Sequence, residues 1–409
     1  MDRFPNVLGI IQAGGAGSRM DVLTRERAKP ALPFAGSYKL VDFALSSFAN
    51  SGVADVWVSV SYLASTLDPY LAQGRPWDLD RTRGGYRRVV PEEGGATTES
   101  GFAAGNADNL VQLAGAIEEF DADVVVVMSA DHVFNLDLRP VIREHLTREA
   151  GCTIVTAEVP KQDAREKAVV TVGGGGRVTG FEYKPERPTG TTVATEIFLY
   201  EPTVFLGELL RLRHKLAGGA EDGSSGLGDF GEHLLPALVD RACVYATPLP
   251  GYWRDVGRPQ AYLQAHRDLL AGRVDVFDDP QAPILTRWPE RLPAIVRPGG
   301  LVDDGVLSPG AEVRGTVRRS VLGPGVVVEK GAVVEDSVIG AGVLVAAGAQ
   351  VSTSIVDDGC SIGRRATVGA LPSARRLRDE DITLLGRDCE IRGASTVPAG
   401  ARLEPGTRT

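Results

Sequence analysis

The residues best suited to chemistry in this chain are two aspartates, a few cations and a glycine cluster, far apart in sequence. Asp131 follows directly on "VVVVMSA", where a buried strand would end, and a carboxylate there is a natural ligand for a hard cation such as Mg²⁺. The alternative is an Asp that caps the next helix. Asp255, in "GYWRDVGRPQAYLQAHRDLL", precedes an amphipathic helix and would complete a metal cradle if it met Asp131. The run "GIIQAGGAGSRM" ends in Gly14, Gly15 and Gly17, with Arg19 close behind. Glycines let backbone N–H groups approach an anion, and the arginine adds fixed positive charge. The spacing is neither G-x-G-x-x-G nor a P-loop, and a tight turn would look the same. Lys29 and Lys184 each precede a proline, which biases them toward extended backbone and fixes the direction of the side chain.

Covalent and zinc chemistry find no support. "GSSG" (223–226) is a flexible loop rather than a nucleophile elbow, and the five histidines show no H-E-x-x-H spacing. A glycine turn, an arginine, two lysines and two carboxylates suit phosphoryl or nucleotidyl transfer, which runs on positioning and charge neutralisation.

The elements that must position these residues fall into two halves. Up to about residue 275, "VLGII" (7–11), "VWVSV" (56–60), "VVVVM" (124–128) and "TIVTAEV" (153–159) read as strands, with helical patterns at 40–52 and 110–120 between them. That alternation predicts a mostly parallel, Rossmann-like α/β sheet, whose ligands sit at the C-terminal ends of the strands. Beyond residue 300, apolar residues recur every six positions: Val321, Val327, Val333, Ile339, Val345, Val351. A neighbouring register runs through Val338, Leu344, Val356, Ile362 and Val368, and Ile391, Val397 and Leu403 resume it. This hexapeptide period predicts a left-handed parallel β-helix. The expected organisation is a catalytic domain over 1–275, a linker over 276–300 and the β-helix over 301–409. The segment 377–388 breaks the period and reads as an inserted loop or short helix.

Bulk properties exclude several classes. The chain has 409 residues and a net charge of −9, so it presents no basic face for nucleic acid, and an anionic substrate must be met by local cations. No apolar stretch is long enough for a membrane span, no signal peptide opens the chain, and the four cysteines lie far apart. A cytoplasmic protein is expected.

In the order "AGGAGSRMDVLTRERAKPALPFAG", "KLVDFALSSFANSG", "GNADNL", "SADHVFNLD", "YKP", "GDFGEHLLPAL" and "YWRDVGRP", followed by the hexapeptide repeat, the chain resembles the ADP-glucose pyrophosphorylase (glucose-1-phosphate adenylyltransferase) family over nearly its full length. The resemblance implies that an NTP and a sugar 1-phosphate give an NDP-sugar and pyrophosphate, with Mg²⁺ as cofactor. It implies that Gly14, Gly15 and Gly17 line the triphosphate, and that Arg19 neutralises the leaving pyrophosphate. Lys29 would sit near the transferring phosphate, while Asp131 and Asp255 hold the metal. Lys184 would grip the sugar phosphate, Asp229 and Trp253 belong to the sugar pocket, and Gly105 and Asp108 to the base-side loop. It also implies a homo-oligomer, dimer or tetramer.

Departures from the family pattern cluster in the sugar pocket. Tyr183 stands where a glutamate is usual, and "ATEIF" replaces an "SMGIY"-type strand, giving Ala194 for serine, Glu196 for glycine and Phe198 for tyrosine. The phosphate and metal positions are spared. On the base side "PEEGG" (91–95) stands where "PAQQR" is usual, and the carboxylates of Glu92 and Glu93 can only accept, which suits guanine. These departures resemble a valienol-1-phosphate guanylyltransferase-like branch, which activates cyclitol phosphates for aminocyclitol antibiotic biosynthesis. The alternatives are an enzyme making ADP-glucose, and a non-catalytic homologue that assembles with a catalytic partner.

Overall fold

The computed structural model describes residues 4–14, 17–60, 62–89, 105–216, 226–371 and 377–409. At the centre of the first sheet, β1 (Val7–Gln12) lies parallel to β2 (Asp55–Ser59) on one side, with β3 (Gly85–Val89) parallel beyond it. On its other side lies β4 (Val124–Ser129), also parallel. Both β1 and β4 are buried along their whole length, because helices cover both faces and an apolar side chain gains at every position. Val7 and Ile11 pack in the cluster with α1 (Leu40–Asn50), while Leu8 and Ile10 pack in the one with α2 (Asn106–Phe120).

The far half of the sheet is antiparallel at its key joint. Beyond β5 (His132–Val133) come β6 (Cys152–Glu158), the hairpin of β7 (Ala168–Val172) with β8 (Val178–Tyr183), β9 (Thr192–Tyr200), β10 (Val244–Pro248) and β11 (Arg254–Asp255). Strand β9 runs antiparallel to β4, β6 and β7, and so carries the sheet past its parallel core. Strand β5 pairs with β11 in a separate two-stranded sheet.

The second half is the expected β-helix, all of its named strands pairing in parallel. Val328 lies beside Val345, and Val345 beside Ile362. The inward residues run Val317, Leu322, Val328, Val334, Ile339, Val345, Val351, Val356, Ile362 and Val368, all essentially buried. Their spacing shortens to five once per coil, so a strict period of six slips by one residue. That slip explains the two registers in the sequence, and it leaves Val327 and Val333 half-buried rather than inward. Two further expectations change. Thr383–Leu385 is a β-helix strand within the segment read as an insertion: Leu385 fills the next coil, while Leu384 packs into the core cluster of the first half. Ile295–Val296, within the stretch read as linker, already pairs with Glu312–Val313.

The two halves meet at the segment that carries Arg19 and Lys29. Arg27, 5 % exposed, reaches Asp357 at 3.0 Å and Asp358 at 2.5 Å across the interface. Arg402 of the β-helix pairs with Asp21 at 3.3 Å. Removing one partner of the buried Arg27–Asp357 pair strands a charge, at a cost of about 3–5 kcal/mol. Among the described residues no helix is long and apolar enough to cross a membrane.

Candidate active site

Asp131 stands just beyond the end of β4, where a parallel strand delivers side chains to a cleft. Asp255 is brought to it by the short antiparallel pairing of β11 with β5, in which Asp255 lies opposite His132. Each carboxylate holds a lysine. Lys29 Nζ donates to Asp131 Oδ2, and Lys167 Nζ donates to Asp255 Oδ2 at 2.9 Å. The Gly257 N–H donates to Asp255 Oδ1 at 2.8 Å, and Ser129 Oγ donates to Asp131 Oδ1. Gly257 leaves this corner open: a Cβ there would stand 2.9 Å from Asp255 Oδ1 and 3.3 Å from Lys29 Nζ.

The electrostatics follow from this pairing. Burial opposes the charge on Asp131, but Lys29 and His132 outweigh it and hold the carboxyl down at about 2. Asp255 is likewise held below the carboxylate range: burial is outweighed by Lys167, His132 and Lys29. Lys29 is raised, since Asp131 and Asp255 more than offset its burial. Asp131, Asp255 and Lys29 are therefore charged at neutral pH, and two ionised carboxylates from separate elements form an oxygen donor set suited to a hard divalent cation.

The opposite wall comes from β8 and β9. Tyr183 donates its hydroxyl to Asp229 Oδ2 at 2.8 Å, and Lys184 Nζ donates to Tyr183 Oη at 2.5 Å while standing 3.8 Å from Asp229. The Tyr183 ring lies against Gly231, where any Cβ would come within 2.0 Å of it. Burial, then the Asp229 carboxylate, push the Tyr183 hydroxyl well above the usual tyrosine range, so it stays a donor. Phe198 and Ala194 are buried apolar residues of this wall, and the Trp253 indole meets the His132 ring edge-on at 5.4 Å. The Trp253 indole N–H is buried without a partner among the described residues. Glu196 is pushed up by burial, only partly offset by His132, and its carboxylate lies 4.0 Å from His132 Nε2.

A cavity of about 490 Å³ joins the two walls. Gly14, Gly17, Arg19, Lys29, Gly105, Asp131, Tyr183, Lys184, Glu196, Phe198, Asp229, Trp253 and Asp255 all line it. Asp108 does not: it is buried in the first turn of α2, and Asn106 and Asn109 face the cavity instead, three residues apart on one side of the helix. Gly15, Glu92 and Glu93 lie outside the described residues. Neither pre-proline lysine is extended as expected. Lys29 opens a 3₁₀ turn, and Lys184 takes φ +46°, its N–H donating to the Lys167 carbonyl oxygen at 3.0 Å.

Sequence reasoning missed Lys167, His132, Gln12 and Asn109. Asn109 Nδ2 donates to Gln12 Oε1 and Ser59 Oγ, each at 2.6 Å, tying α2 to β1 and β2. Nothing local marks Lys167 in "AREKAVV"; only the β7–β8 hairpin carries it to Asp255. His132 could have been found, since it adjoins Asp131 in "SADHVF".

Comparison with known proteins agrees with this geometry. The model of the nucleotidyl transferase family matches residues 8–272, and that of the GlmU-like C-terminal hexapeptide matches residues 296–380. A glucose-1-phosphate adenylyltransferase of Thermotoga sp. (strain RQ2) is 37% identical over 334 residues, covering 81% of this chain and 76% of the relative. One from Pseudothermotoga lettingae is 34% identical over 398 residues, covering 97% and 92%. One from Streptomyces avermitilis is 36% identical over 346 residues, covering 81% and 84%. With a charged cleft at the strand ends and a hexapeptide β-helix behind it, the chain belongs to the nucleotidyl transferase family, as a sugar-1-phosphate nucleotidyltransferase of the ADP-glucose pyrophosphorylase type.

Proposed function

We propose that this enzyme joins a Mg²⁺-bound NTP to a sugar-like 1-phosphate other than glucose 1-phosphate, with a cyclitol such as valienol 1-phosphate as acceptor and GTP as donor. The observation that carries this reading is the apolar remaking of the acceptor wall: Phe198 and Ala194 offer no side-chain hydroxyl, and Tyr183 spends its own on Asp229. A wall without those groups does not select an acceptor by hydrogen bonds to them. It suits a flatter ring that lacks the ring oxygen.

In this scheme an acceptor phosphate oxygen attacks the α-phosphorus in line, and the bond from that phosphorus to the pyrophosphate oxygen breaks. Asp131 and Asp255 would hold Mg²⁺, which when bound neutralises phosphate charge. Gly14, Gly15 and Gly17 give backbone N–H groups to the triphosphate, and Arg19 meets the leaving pyrophosphate. Lys29 keeps its charge beside the reacting phosphate. Lys184, exposed, hydrogen-bonded to Tyr183 and with a long ion pair to Asp229, takes the acceptor phosphate. Glu92 or Glu93 would accept from guanine N1–H and N2–H₂. A dimer or tetramer completes the proposal, supported by the exposed Leu292, Ile295, Val296 and Leu301 at the start of the β-helix. A cytoplasmic setting fits its cysteines, none of which is paired among the described residues.

The second reading is ATP with glucose 1-phosphate, favoured by the name its relatives carry. Pyrophosphate release measured with ATP or GTP against glucose 1-phosphate or valienol 1-phosphate separates them. Release with GTP and the cyclitol is expected. Efficient release with ATP and glucose 1-phosphate, and none with the cyclitol, would overturn the proposal.

A further inference from the structure

Glu196 is an acidic group of the cleft that this scheme leaves without a task. It sits where β9 bulges: pairing with β6 shifts register between Ala194 and Phe198, and Glu196 takes φ +57°. A left-handed backbone is uncommon for a residue with a side chain, and a bulge re-aims that side chain. Here the carboxylate is turned toward Asp131 and Asp255. Each of those aspartates holds a lysine, whereas Glu196 has no lysine or arginine ion pair among the described residues.

His132 occupies the middle of the group. Its imidazole is 3 % exposed, and its Nδ1 lies 3.0 Å from the Thr195 carbonyl oxygen, so Nδ1 carries a proton and donates. Nε2 is then the ring nitrogen left to act as a ligand, and no side chain donates to it among the described residues. It faces Asp131 Oδ1 at 3.5 Å, Asp255 Oδ1 at 3.9 Å and Glu196 Oε2 at 4.0 Å. Three carboxylate oxygens around one ring nitrogen call for positive charge among them, either a proton on that nitrogen or a metal ion. One ligand atom each from Asp131, His132 and Glu196 lies within 4.8 Å of the other two, a span one ion can bridge. An imidazole anchored by Nδ1–H to a carbonyl is the usual support of a metal-binding histidine.

We propose that Asp131, His132 and Glu196 form a divalent-cation site that fills before any nucleotide binds, and that it favours Mn²⁺ over Mg²⁺. Sites built on one or two carboxylates hold Mg²⁺ chiefly with the help of substrate phosphates. The Asp131–Asp255 pair of the scheme above is such a site, and the inference rests on that reading. What Glu196 and His132 add is a second carboxylate oxygen and an imidazole nitrogen at Asp131. That ligation does not depend on the phosphates, and the nitrogen counts against Mg²⁺, which takes oxygen ligands.

The test is a Mn²⁺ titration of the nucleotide-free, full-length enzyme, followed by loss of the free-ion EPR signal. One Mn²⁺ per chain is expected, displaced by Mg²⁺ only at a large excess. Glu196→Gly removes the carboxylate and suits the left-handed backbone, so its melting temperature is kept while its Mn²⁺ affinity falls about tenfold or more. Unchanged affinity in that variant overturns the inference, since Glu196 then pairs with a protonated His132 or reads the acceptor. Uptake seen only with NTP present also overturns it, yet leaves the Asp131–Asp255 scheme standing. No uptake under either condition removes both.

Discussion

The two ends of the cleft are made differently. At one end, charged groups from β4, β11, the Lys29 turn and the β7–β8 hairpin are buried in opposite-sign pairs, with Asp131 on Lys29 and Asp255 on Lys167. At the other, the Tyr183–Asp229–Lys184 chain is half open to solvent and lies beside the apolar Phe198 and Ala194. Buried charge tolerates little change, because replacing one partner strands the other. A half-exposed wall tolerates exchange at the cost of one hydrogen bond or one methylene at a time. The molecule thus carries a reaction on its rigid end and a choice of substrate on its adaptable one. Of the departures from the family pattern, Tyr183, Ala194 and Phe198 fall on the second.

The largest effect tests the charged end. Asp131→Asn is expected to lower kcat for pyrophosphate release by about 10²–10³-fold, with the fold kept by circular dichroism. A variant that retains most of its turnover would break the contrast between the ends. Lys184→Ala acts at the adaptable end. It removes a charge-assisted contact, so the acceptor KM should rise about tenfold to a hundredfold while the NTP KM holds. A rise in both would move Lys184 to the charged end. The smallest effect is Tyr183→Phe, which frees Asp229 from one hydrogen bond. A change of about fivefold in acceptor kcat/KM is expected, with discrimination between glucose and cyclitol phosphates shifting more than the rate on either. If neither moves, Tyr183 only packs on Gly231.

Much of the fold was legible because its signals are local. Unbroken apolar runs such as "VVVVM" mark strands buried on both faces, and the hexapeptide repeat announces its coils over a long stretch. Even the repeat hid its geometry, since the inward set shortens to five once per coil. The antiparallel entry of β9 had no local mark, because strand direction is set by the connection and the pairing rather than by composition.

The candidate site divides along the same line. Residue types and their order, Gly14, Arg19, Lys29, Asp131, Lys184 and Asp255 among them, could be read directly, since each side chain's chemistry is its own property. Whether Asp255 meets Asp131, that Lys167 completes the pair, that Asp108 turns away while Asn109 faces in, and that Glu196 leans toward His132 were decided by tertiary structure alone. Such facts rest on contacts between residues distant in the chain, on the phase of a helix and on one bulge in a strand. The sequence by itself determined which charges this cleft contains. Only the folded chain decided which of them are neighbours, because neighbours in space are fixed by strand pairing and packing, whose energies no short stretch of residues contains.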